Sequence, residues 1–258
     1  MTVRAQTPPL KVVRAFPQDD GAALVHLHNV SGGVLAGDEL VLSVHVHPHA
    51  RARLTTTGAT RLYRRRPAGR AVMRTHAVVS SDALLEYLPD QIIPFRHADV
   101  LQSTHVDLTR DAGVLWWEIV APGREAMGER FAYDALEMEM RIDVDGMPIA
   151  RERMRWSPQE YALHAPARMG GFGYYASFYA CRVGADVDVL EEILADHAQR
   201  CTRIGEVSWG VSALAAHGVV VRGLAHTARA LQKDLWDFWS IARQALYDRS
   251  SAAPRKIY

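Results

Sequence analysis

Residues 136–145 read Leu-Glu-Met-Glu-Met-Arg-Ile-Asp-Val-Asp, and this stretch sets the fold class. Leu136, Met138, Met140, Ile142 and Val144 fall on one side of an extended chain, and Glu137, Glu139, Arg141, Asp143 and Asp145 on the other. A period of two is the mark of a half-buried strand, whereas a helix repeats every 3.6 residues. Asp145-Gly146 supplies a hairpin turn, and residues 149–156 are the expected return strand. Upstream, residues 39–47 alternate in the same way, with Leu40, Leu42, Val44 and Val46 on one face. Shorter runs at 50–63, 83–88, 100–108, 114–120, 176–183 and 219–224 extend the pattern, so the chain is expected to be mainly β.

Two segments of the C-terminal third follow helical spacing instead. Val187, Leu190, Ile193, Leu194 and Ala198 form one stripe, with Asp186 placed to cap its start. Leu224, Ala228, Leu231, Leu235, Phe238, Trp239, Ala242 and Leu246 form a longer one, widened by Trp236 at its margin. Such a stripe packs on a sheet; the sharper alternative is that Trp236, Phe238 and Trp239 dock a partner protein. No repeat or composition shift divides the sequence. A single domain over 1–258 is expected, with a tail at about 250–258 that stays loose until bound.

The net charge of +1 removes the electrostatic case for nucleic acid or an acidic membrane as partner. With no apolar leader or spanning run, the expected location is the cytoplasm, where Cys181 and Cys201 are reduced thiols. No phosphate-loop, nucleophile-elbow or H-E-x-x-H pattern occurs, so no catalytic residue is nominated and no tightly bound cofactor is expected.

Two residue groups carry possible chemistry. Five histidines, His26, His28, His45, His47 and His49, crowd one stretch; on a strand His45 and His47 share a face and could hold nickel, zinc or copper. The plainer reading places them on the polar face of an amphipathic strand. Glu86 and Glu118 each lie among apolar neighbours, where a carboxylate is costly to bury without a partner. They are either structural ion pairs or oxygen ligands lining a wet internal passage.

Four fragments, in order along most of the chain, resemble the UreD (UreH) family of urease accessory proteins. They are Gly32-Gly33-Val34-Leu35-Ala36-Gly37-Asp38 with the Leu54–Tyr63 segment after it, Leu85-Glu86-Tyr87-Leu88-Pro89, Gly123-Arg124-Glu125-Ala126-Met127-Gly128-Glu129-Arg130-Phe131, and Pro254-Arg255-Lys256-Ile257-Tyr258. Thr57 stands where the family has glutamine. The resemblance implies a β-helix-like stack of strands with a few helices. It also implies a non-catalytic scaffold that works with UreF, UreG and apo-urease while nickel is in transit to the urease active site. Carboxylates suit a metal in passage because they bind nickel less tightly than imidazole or thiolate. Asp38, Glu86 and Glu129, within the matching motifs, are the first candidates for such a path, followed by Glu118 and Glu152. Two other readings stay open: a self-contained histidine-based nickel store, and a β-helix-type enzyme using acids for general acid–base work.

Overall fold

The computed structural model describes residues 1–65 and 69–249; the expected tail and the terminal motif at 254–258 lie outside them. The first coil is preceded by β1 (Leu10–Pro17) and holds β2 (Ala23–Asn29) and β3 (Glu39–Val46). The second holds β4 (Arg51–Thr56), β5 (Thr60–Leu62) and β6 (Ala71–Val79), the third β7 (Leu84–Tyr87), β8 (Ile92–Pro94) and β9 (Asp99–Leu108). The fourth holds β10 (Gly113–Val120) and β11 (Ala135–Val144). The chain then turns back through β12 (Met147–Trp156) and β13 (Tyr174–Arg182), and continues as α1 (Val187–Cys201), β14 (Val207–Ala213), β15 (Gly218–Ala225) and α2 (Ala228–Tyr247).

Register converts the alternation into a stack. β3, β6, β9 and β11 pair in parallel, with β12 antiparallel at the edge. One inward rung runs Leu40, Met73, Gln102, Met138, and another runs Val44, Ala77, Val106, Ile142. On the facing sheet β2, β4, β7 and β10 pair in parallel, flanked by antiparallel β1 on one side and by β13, β15 and β14 on the other. Ala23 pairs with Ala52, Arg51 with Leu84, and Leu84 with Gly113, so a coil takes about 30 residues. The result is a two-sheet β-solenoid of about four turns, in agreement with the expected β-helix-like fold. Its repeat is structural only: stacking asks that inward side chains fill space, and neither rung above keeps one residue type from coil to coil.

Asp186 accepts from the Val189 N–H at 3.2 Å and starts α1, while Thr227 accepts from the Ala230 N–H and starts α2. Leu224, which fits the helical stripe by spacing, belongs to β15 and faces the lumen. Both helices cover the outer face of the larger sheet, where Leu115, Trp117, Ile119 and Phe178 meet Leu190, Leu194, Leu231 and Leu235. Phe238 and Trp239 are 0% and 1% exposed in this layer, which corrects the docking reading for those two residues. An aromatic ring buried against its own sheet contributes roughly 1.5–3 kcal/mol to folding and presents nothing to a partner. Trp236 is half-buried, edge-on to Trp117 at 4.7 Å and to Trp239 at 5.2 Å. Among the described residues no helix is long and apolar enough to cross a membrane.

Gly223 shows how tightly this layer closes. A Cβ there would stand 2.3–2.6 Å from the ring of Trp209, whose indole N–H donates to the buried Asp234 Oδ2 at 2.9 Å. Gly223→Ala is expected to displace that ring and cost about 1–3 kcal/mol. The check is the urea midpoint beside that of Gly210→Ala, where a Cβ meets open space.

Candidate functional site

Every residue of β10 is buried, because the lumen lies against one face and the helices against the other. Val114, Trp116, Glu118 and Val120 point inward. Apolar clusters fill the two ends of the lumen, and a polar seam separates them. Within it Glu118 stands opposite Ser177, and Ser177 opposite Arg222. From the facing sheet the Gln102 amide donates to Glu118 Oε1. Arg222 Nη2 lies 2.9 Å from both oxygens of Glu152, and the Tyr179 hydroxyl donates to the same carboxylate. Tyr87 stacks on Trp116 with centroids 4.0 Å apart.

The two seam acids differ in kind. Glu152 is neutralised by Arg222, whereas Glu118 meets no cationic side chain among the described residues. Burial pushes the Glu118 carboxyl up to about 7. The Trp116 indole, which closes no hydrogen bond of good geometry, and the Gln102 amide oppose the rise; the charge of Glu152 adds to it. Thr104 Oγ1, Trp116 Nε1 and Tyr175 OH are buried along the lumen without a protein hydrogen-bond partner. Each such group costs about 1–3 kcal/mol until something polar meets it. Where the two sheets part at β12 and β14, a cleft of about 540 Å³ opens between Met154, Trp156, Ser208 and Gly210. Tyr175 and Arg222 line its wall and join it to the seam.

The acids inside the sequence motifs sit elsewhere. Glu86 is fully buried on the helix side of the sheet, not in the lumen. It accepts from Arg53 Nε at 2.9 Å and Trp239 Nε1 at 2.7 Å, and lies 3.2 Å from Arg243 Nε. Arg53 and Arg243 also each donate to Asp20 at 2.8 Å. Burial works to raise the Asp20 carboxyl, but the Ala22 N–H and the two guanidiniums hold it down at about 2.

Glu129 is clasped by Arg124 through contacts of 2.8 and 2.5 Å, and the Arg96 backbone N–H donates to it at 3.2 Å. The Arg124 hydrogen bonds hold its pKa at about 2. Its contribution to stability is therefore present above about pH 4.5 and lost as pH falls through 2. Asp38 closes a turn, accepting from the Leu35 N–H at 2.8 Å. The acids that enter the seam are thus Glu118 and Glu152. Their companions Gln102, Tyr175 and Arg222 carry no local sequence signal, since each reaches the site from a different strand.

Among the histidines, the His45 and His47 rings lie with centroids 4.5 Å apart and planes tilted at 36° at the surface, and His49 pairs with Asp82 at 3.0 Å. His26 is buried, with Phe16 5.6 Å away, and its ring lies 6.4 Å from that of His28. Among the described residues, none of these belongs to a group of three donors close enough for one metal ion. The trio that does is His76, His105 and Asp107, on the outer face of the smaller sheet.

Fold and site together define a β-solenoid whose largely apolar lumen is crossed by a polar seam, covered on one side by two helices. The profile of the UreD urease accessory proteins matches residues 1–257, and the chain belongs to that family. A urease accessory protein UreD from Herpetosiphon aurantiacus is 46% identical over 261 residues, covering 100% of this chain and 91% of its own. One from Opitutus terrae is 34% identical over 221 residues, covering 83% and 80%. A third, from Pseudomonas putida, is 32% identical over 248 residues, covering 96% and 84%.

Proposed function

We propose that this accessory protein is a non-catalytic scaffold in the cytoplasm, and that nickel on its way to urease passes along the polar seam. The observation that carries the reading is Glu118, an acid that meets no cationic side chain among the described residues, with unpaired polar atoms along the same lumen. Oxygen donors suit a metal in transit, because carboxylate, hydroxyl and water hold a divalent ion loosely enough to release it. An approaching cation also favours the ionised carboxylate, so it displaces the proton that burial retains. Arg222 keeps Glu152 from adding a second free charge, which limits how tightly an ion could lodge. The partners proposed for the two ends of the passage are apo-urease and the nickel-handling UreF and UreG proteins.

The test is urease activation in nickel-supplied cells, with the gene intact, deleted, or carrying Glu118→Gln or Glu129→Gln. Deletion is expected to leave urease assembled without nickel. Glu118→Gln is expected to reduce the nickel content of urease at least tenfold with the accessory complex still assembled, and Glu129→Gln to reduce it far less. Full activation by Glu118→Gln would sink the passage. Full activation after deletion would sink the accessory role itself.

A further inference from the structure

We infer that the outer face of the smaller sheet carries a second, separate metal site: His76, His105 and Asp107 form a surface seat for one first-row divalent transition ion. Coil stacking builds it. His76 pairs with His105 across adjacent parallel strands, so residues 29 positions apart become neighbours at strand spacing. Asp107 lies two residues beyond His105 and therefore on the same face. The rings stack with centroids 5.2 Å apart and planes at 21°, which aims both Nε2 atoms the same way.

Both nitrogens converge on one carboxylate. His76 Nε2 lies 2.7 Å from Asp107 Oδ2, and His105 Nε2 lies 3.2 Å from Asp107 Oδ1. One donor atom from each residue falls within 4.8 Å of the others, and small ring rotations bring such a set to metal–ligand distances of about 2.0–2.2 Å. Asp143 Oδ2, 3.1 Å from His105 Nε2, is the next nearest donor atom. Arg141 on the same face is engaged with Asp143 at 2.9 and 2.6 Å, which leaves Asp107 as the carboxylate shared by the imidazoles. Two imidazoles with carboxylates select Zn²⁺, Ni²⁺ or Cu²⁺ over Mg²⁺ and Ca²⁺. His76 is exposed and Asp107 and His105 are half-buried, so an ion enters directly from solvent, on a wall whose other side is the lumen.

The test is calorimetric titration of the full chain with Zn²⁺ at pH 7.5, with Mg²⁺ as control. The expected result is a site lost in His76→Ala/His105→Ala, weakened about tenfold or more in Asp107→Asn, and unchanged in His45→Ala/His47→Ala. In the unaltered protein, Zn²⁺ should protect His76 and His105 from diethylpyrocarbonate while His45 and His47 still react; this arm does not depend on a variant folding. Zn²⁺ binding that survives the double change, or a protein that takes no Zn²⁺ and leaves both histidines reactive, would overturn the assignment.

Discussion

Glu86→Ala is expected to destabilise the chain by about 3–5 kcal/mol, read as a fall in the urea midpoint at unchanged slope. Arg53 and Arg243 are 2% and 0% exposed, so their charges cannot be returned to water in the folded state. Glu86 meets both of them, and its loss leaves Asp20 as the one carboxylate they share. The Trp239 indole N–H, which donates to Glu86 at 2.7 Å, loses its acceptor as well. Breaking one side of a buried ion pair costs more than the pair itself contributes, because the remaining charge stays desolvated. Glu86→Gln, which keeps an acceptor for Trp239 but no charge, should fall between the two. A Glu86→Ala protein with an unaltered midpoint that fails to activate urease would return Glu86 to the nickel path.

Glu118 is expected to give the opposite sign. Its folded pKa of about 7 lies above the ordinary 4.5, so between these values the folded chain keeps a proton that the unfolded chain has released. Stability from this group is therefore complete below about pH 4.5 and is lost as pH rises through 7, by on the order of 3–4 kcal/mol in total. Glu118→Gln removes that dependence. Subtracting its urea-midpoint profile from that of the unaltered chain should give a difference that grows from pH 5 to pH 8, with the variant the more stable at pH 8. Parallel profiles would mean that Glu118 is neutralised by a partner after all. A substitution that strengthens the fold while weakening nickel transfer separates function from folding at one residue.

Strands with clean alternation are legible in the sequence because one face meets the lumen and the other meets water, as in β3 and β11. β6 is not: its inward positions include Ala71, Thr75 and Ala77, too small or too polar to stand out against Arg74 and His76. β14 escapes for a similar reason, with Gly210 and two serines in seven residues. The stacking itself leaves no trace, since a coil constrains shape rather than residue type. Glu86 and Glu118 are both conspicuous as acids in apolar strands. Which one enters the lumen is not legible, because both faces of β7 and β10 are covered and periodicity cannot label them. The pairing of His76 with His105 is invisible for the same reason as the coils: it exists only through register.

The ion-pair network also sets an order of events during biosynthesis. Arg243 of α2 reaches Asp20, 223 positions earlier, so the loop entering the first coil waits for more than 200 residues of synthesis before this anchor arrives. At ribosomal speeds that interval is about 10–50 s. Throughout it Arg53 and Glu86 can pair, but the face that α2 later seals stays open to water and to other nascent chains. The growing chain is thus most exposed to aggregation until α2 arrives to cover that face.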